Sequence, residues 1–113
     1  AQVKMQNLVN GKIITRNFRS RFGEIDIITT KDGVLRFVEV KTSKFYPNTD
    51  FSPEIRIDRR KRSALKRICE IYLRENSINP DKKWQIDVIS VTLEGDLAKA
   101  VDFIEIGVFE RPY

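Results

Sequence analysis

The 113-residue chain contains no histidine and a single cysteine, Cys69. The first absence removes histidine metal sites, histidine general bases and the Ser-His and Cys-His nucleophile pairs, leaving carboxylates and lysines as the groups able to do acid-base or metal chemistry. The second excludes an internal disulfide and any multi-cysteine zinc site. Cys69 falls on the apolar stripe of an expected helix, where a buried, inert thiol is the simplest reading. No apolar run approaches the roughly 20 residues needed to cross a bilayer, and no signal-peptide pattern opens the chain, so a cytoplasmic protein without a membrane partner is expected. Repeats, low-complexity tracts and composition breaks are also lacking. The expectation is one domain over residues 1–113.

Charged residues make up 33% of the chain and hydrophobic ones 41%, ordinary proportions for a folded domain with a solvated surface. Lysine and arginine (21) outnumber aspartate and glutamate (16), giving a formal charge of +5 and an isoelectric point near 9.5. That balance favours polyanionic partners, because neutralising phosphates releases counterions.

The most informative stretch is Gly23-Glu24-Ile25-Asp26-Ile27-Ile28, then Asp32-Gly33, then Phe37-Val38-Glu39-Val40-Lys41. An Asp-Gly pair between two β-branched runs predicts a hairpin with a two-residue loop, which sets Lys31 opposite Val34. Counting back places Asp26 opposite Glu39 and Glu24 opposite Lys41, all four on one face. Directly opposed Cβ atoms lie about 4.5–5.5 Å apart, and like charges there destabilise the pair. Two readings are open at this point. A hard divalent cation such as Mg²⁺, held by one or two carboxylates, would explain the acids, with Lys41 orienting a water or neutralising phosphate charge. Alternatively the hairpin face is simply solvated, with Glu24 and Lys41 an ordinary cross-strand ion pair.

At these residues the chain resembles a known family. Glu39-Val40-Lys41 after an acidic hairpin arm is similar to the (D/E)-x-K core of restriction-endonuclease-like nucleases. More closely, Arg16-Asn17-Phe18-Arg19, Gly23 to Ile28, Phe37 to Thr42, Lys61, Tyr72-Leu73 and Ile86-Asp87-Val88 resemble the UPF0102 (YraN-like) family from about residue 10 onward. The resemblance implies an α/β restriction-endonuclease-like fold, a central mixed β-sheet flanked by helices, with a site related to archaeal Holliday-junction resolvases. It further implies Asp26 and Glu39 as ligands of Mg²⁺ or Mn²⁺, Lys41 as the catalytic lysine, and Glu24 and Lys61 as further candidates. The implied activity is metal-dependent hydrolysis of DNA, branched or single-stranded, with RNA left open and a homodimer compatible with cutting two strands. A module that binds nucleic acid without cleaving it is the alternative. Ala1 matches an alanine two residues after the family's helix Gly-Glu, so that glutamate is expected before residue 1, on an amino-terminal helix of which this chain carries only the tail. Asn10-Gly11 replaces the family's usual Gly-aromatic pair.

Along the chain, residues 1–9 read as that helix tail, 12–18 as a strand, and the hairpin arms as 24–30 and 34–41. A loop over 42–57 contains Pro47 and Pro53. A helix over 58–75 follows, with Asp58 as N-cap and an end near Asn76, and then strands over 83–93 and 98–106 joined by Glu94-Gly95-Asp96. On the helix, Leu65, Ile68, Cys69 and Tyr72 share a buried face, and Lys61 lies one turn before Leu65 on the same stripe. Snorkelling accounts for such a lysine, as does a place beside the acids. Arg59, Arg60 and Arg62 on the helix, Arg16, Arg19 and Arg21 before the hairpin and Lys44 after it are the candidate nucleic-acid contacts. Phe45 and Tyr46 could stack on bases or pack the loop onto the core. Asp87 reads as structural, bonded to a nearby arginine or backbone amide, and Trp84 as a core anchor.

Overall fold

The computed structural model describes residues 11–45 and 59–109, with 102–109 described as backbone only. The expected helix tail over 1–9, Tyr46 and the Asp58 cap lie outside the described residues. Within them the strands are β1 (Lys12–Ser20), β2 (Gly23–Lys31), β3 (Val34–Lys44), β4 (Trp84–Glu94) and β5 (Leu97–Phe109), with one helix, α1 (Arg59–Glu75), between β3 and β4. The five strands form one sheet in chain order. β3 and β4 are parallel and all other neighbours antiparallel. The sheet is therefore mixed, as expected, and a parallel pair demands the crossover that α1 supplies. Among the described residues a single helix covers it, where helices on both flanks were expected. No described helix is long and apolar enough to cross a membrane.

Local chemistry explains the joints. Asp32 and Gly33 both have positive φ (52° and 77°), the conformation of a two-residue type I′ hairpin loop. The register they set, Lys31↔Val34 through Ile27↔Val38, is the one counted from sequence. α1 ends with Ser77 at φ 52°, its N–H on the Arg74 carbonyl and the Ile78 N–H on the Leu73 carbonyl. That paired arrangement is a Schellman motif, with Ile78 packed on the core as its hydrophobic partner.

The sheet separates two apolar clusters. On the helix side, Ile25, Ile28, Leu35, Phe37, Trp84 and Ile86 pack against Leu65, Ile68, Cys69, Tyr72 and Leu73 of α1. Phe37 meets both Tyr72 and Trp84 edge-to-face, so Trp84 is the core anchor its sequence position suggested. On the far side lie Ile27, Val38, Ile89 and Val91, joined by Ile13, Val40 and Leu93. β4 is buried from Trp84 through Thr92, Gln85, Asp87, Ser90 and Thr92 included, as its place between β3 and β5 requires. Burial, reinforced by the adjacent Glu70 carboxylate, pushes the Cys69 thiol well above its ordinary pKa range. The thiol is thus the inert core group expected.

Candidate active site

The β2–β3 ladder stops at Ile27↔Val38, so the next two positions in register, Asp26 and Glu39, stand where the strands part. There Asp26 takes over the backbone's role: its Oδ2 accepts the Val40 N–H at 2.7 Å. The carboxylate consequently lies against the Glu39–Val40 peptide.

The same point is a kink in both β1 and β2. Ile25 belongs to the helix-side cluster and Ile27 to the far-side one, although strict alternation would give two residues of equal parity one face. On β1, Asn17 sits at φ 54° between Arg16, which pairs with Ile27, and Phe18, which pairs with Ile25 and packs on the helix side. Asparagine tolerates this left-handed conformation better than most side chains. Asn17 was missed as a site-shaping residue. Its signal was the tolerant residue type within the Arg16-to-Arg19 block.

The kink changes the fate of Glu24. With Ile25 turned toward the helix, Glu24 faces away from it. Its Oε2 lies 3.7 Å from Arg19 Nε on the neighbouring strand, both side chains well exposed. The expected pairing of Glu24 with Lys41 is absent, because the register that would produce it ends three residues earlier. Glu24 is thus an exposed ion-pair partner of Arg19 rather than of Lys41.

Glu39 and Lys41 continue the helix-side face of β3 after Leu35 and Phe37. The Glu39 side chain is only 15% exposed. Its Oε1 lies 3.2 Å from Lys61 Nζ, and its Oε2 is buried without a hydrogen-bond partner. Lys61 therefore reaches the acid patch, the second of its two sequence readings. Lys41 is half-buried beside Ser90 of β4, and no ion pair to a described residue engages it. Among the described residues no three of Asp, Glu or Cys gather as a ready metal cage. Two carboxylates, one with a buried unsatisfied oxygen, do fit Mg²⁺, which keeps most of its ligands as water and substrate phosphate.

The sheet sorts the seven candidate cations. Arg59, Arg60 and Arg62 are exposed in the first turn of α1 with Lys61, and no acid is present there. Like charge at a helix amino terminus opposes the helix dipole and favours an anion nearby. Arg21 lies 4.9 Å from the centroid of the exposed Phe22 ring, with Arg67 of α1 at 5.2 Å. Arg16, Arg19 and Lys44 face away from Glu39, as their pairings with Ile27, Glu24 and Leu93 require. Phe45 lines an open cavity of about 450 Å³ with Thr42, Ser43 and Leu93, beyond Lys41 rather than over the carboxylates.

Asp87 is on the far face and fully buried. Its Oδ1 accepts the Gln85 side-chain amide at 2.8 Å and its Oδ2 lies 3.8 Å from Arg36 Nη1. It has the surroundings of the structural acid expected, and the arginine beside it, left unspecified by the sequence, is Arg36.

The fold and site define an α/β protein with two carboxylates and a lysine at the parting of two strands, rimmed by a basic helix. The chain belongs to the UPF0102 family, described as an uncharacterised protein family, whose model matches residues 5–91. Asp26, Glu39, Lys41 and Lys61 all fall inside the match, and β5 lies beyond it. A UPF0102 protein of Campylobacter jejuni is 41% identical over 80 residues, 71% of this chain and 66% of the relative, so the match spans just under two thirds of that protein. A UPF0102 protein of Pseudothermotoga lettingae is 43% identical over 84 residues, 74% of each chain. One from Kosmotoga olearia is 38% identical over 86 residues, 76% of this chain and 70% of its own.

Proposed function

We propose that this protein is a metal-dependent endonuclease-like phosphodiesterase of the PD-(D/E)XK type, related in its site to archaeal Holliday-junction resolvases and acting on branched or single-stranded DNA. The observation that carries the reading is Glu39, a nearly buried carboxylate with an unsatisfied oxygen, set beside Asp26 where the sheet opens and followed on the same face by Lys41.

In this reading Asp26 and Glu39 would hold Mg²⁺ or Mn²⁺, which supplies Lewis-acid polarisation of a phosphoryl oxygen and a more acidic water. Asp26 is fixed for that task by the Val40 N–H, which locks one carboxylate oxygen and leaves Oδ1 outside the bond. Lys41 is placed to neutralise charge developing on the phosphoryl oxygens or to orient the attacking water. Arg59, Arg60 and Arg62 offset the repulsion between acids and phosphodiester, and their exposure at the start of α1 suits backbone contacts without sequence readout.

The second reading is a nucleic-acid-binding module without cleavage. It is favoured by the absence of a third acid at the site among the described residues. Labelled four-way junction, flap, single-stranded and duplex DNA incubated with the protein in Mg²⁺ or Mn²⁺ tests both. Cleavage abolished by Glu39→Gln, with binding kept, supports the enzyme and names its preferred structure. Salt-sensitive binding without cleavage supports the module. Neither binding nor cleavage overturns both.

A further inference from the structure

We infer that Lys61 is a built-in counter-cation for Glu39, occupying the carboxylate when no metal is bound, yielding it to the metal, and then serving the substrate phosphate. The inference rests on the proposed metal role of Glu39 and names how that site is regulated.

Lys61 stands one turn before Leu65 on the stripe by which α1 packs on the sheet, so its stem is directed toward β3. Its ammonium lies 3.2 Å from Glu39 Oε1. The two ends of this pair are unequal. Glu39 sits on a central strand with its side chain 15% exposed, whereas the Lys61 side chain is 46% exposed on a flexible four-carbon stem. The lysine can swing away and the glutamate cannot. A nearly buried carboxylate without a cation is strongly unfavourable, and Lys61 provides that cation before any metal arrives.

A divalent ion on Glu39 repels an ammonium 3 Å away, so metal and Lys61 compete for the carboxylate. Once released, Lys61 remains among Arg59, Arg60 and Arg62 at the rim, where an approaching phosphodiester would hold it. A phosphate that captures Lys61 removes the metal's competitor, and by linkage metal and polyanion then bind cooperatively.

The test is Mn²⁺ titration by calorimetry of the full chain as wild type, Lys61→Met, Lys61→Arg, Glu39→Gln and Arg74→Met. The last removes the same charge from the exposed far end of α1, about 20 Å along the axis. Lys61→Met should bind Mn²⁺ about two- to tenfold more tightly, the scale of a half-exposed ion pair's coupling, with the gain shrinking in high salt. Lys61→Arg and Arg74→Met should stay near wild type. Binding of a labelled oligonucleotide, measured by anisotropy in Ca²⁺, should lose most of its metal enhancement in Lys61→Met. These opposite signs separate the inference from a merely structural lysine, whose loss weakens both, and from a simple phosphate contact, which leaves Mn²⁺ affinity unchanged. Lys61→Gln serves as a second variant if the methionine form does not fold. Unchanged or weaker Mn²⁺ binding in folded Lys61→Met or Lys61→Gln, with binding lost in Glu39→Gln, overturns the inference and leaves the proposed function standing. Failure of the wild type to bind Mn²⁺, or binding indifferent to Glu39→Gln, overturns both.

Discussion

Replacing Asp87 with alanine should cost a large share of this protein's stability while leaving the opposite face of the sheet chemically intact. Asp87 is fully buried, accepts the Gln85 amide at 2.8 Å and faces Arg36 at 3.8 Å, and the Arg36 side chain is itself only 17% exposed. Losing a hydrogen bond to a charged group costs about 1.5–3 kcal/mol. Stranding a largely buried guanidinium raises the total to about 3–5 kcal/mol. With an unfolding entropy of about 2.1 cal/mol/K per residue, a chain of this length loses roughly 4 °C of Tm per kcal/mol, so the midpoint should fall by about 12–20 °C. Asp87→Asn keeps an acceptor for Gln85 and loses only the charge, so its fall should be smaller. In the double variant Asp87→Leu with Arg36→Met no charge is left unpaired, and most of the lost stability should return. Calorimetric melts of the four proteins, with Mn²⁺ binding of Asp87→Asn, make the assay. A Tm within about 3 °C of wild type for Asp87→Ala, or a double variant no more stable than Asp87→Ala, would refute the network's weight. A stably folded Asp87→Asn that no longer binds metal would move Asp87 into the site.

Asp26→Asn can still accept the Val40 N–H, so its stability should stay within about 1 kcal/mol of wild type while cleavage is lost; retained cleavage in a gel assay would remove Asp26 from the mechanism. Asp26→Ala should lose both cleavage and the bond, costing about 1.5–3 kcal/mol in denaturant titrations. Neutralising Arg59, Arg60 and Arg62 together should flatten the plot of log binding constant against log salt by up to about 0.7–0.9 per phosphate contact removed, whereas an unchanged slope would return them to the role of solvated charges. The Cys69 thiol, raised by burial, should resist alkylation at pH 8 in the native state and react promptly in denaturant; rapid native labelling would contradict the packing of α1.

The elements legible in the sequence are those whose causes are local. Asp32-Gly33 selects the hairpin turn, and the turn selects the register, so Ile27↔Val38 could be counted from residue order. Alternation along β3 likewise placed Glu39 and Lys41 on one face, and helical spacing placed Lys61 on the stripe directed at the sheet. The end of α1 near Asn76 followed the same logic.

Tertiary structure alone decided where that counting stops. The kink at Asn17 and Asp26 turns Ile25 and Phe18 onto α1, a helix more than thirty residues later in the chain, and it is this burial that moves Glu24 out of the acid patch and opens the sheet at Asp26. The division of the cations between two faces depends on the same kink and on the pairing of β3 with β4. That parallel pairing also delivers Arg36 to Asp87, a contact no local pattern signals. Hydrophobic periodicity and turn chemistry act over a few residues and can be read in order. Which distant face covers a strand is settled by the apolar area buried when the whole sheet closes against its helix, and that sum exists only in the folded protein.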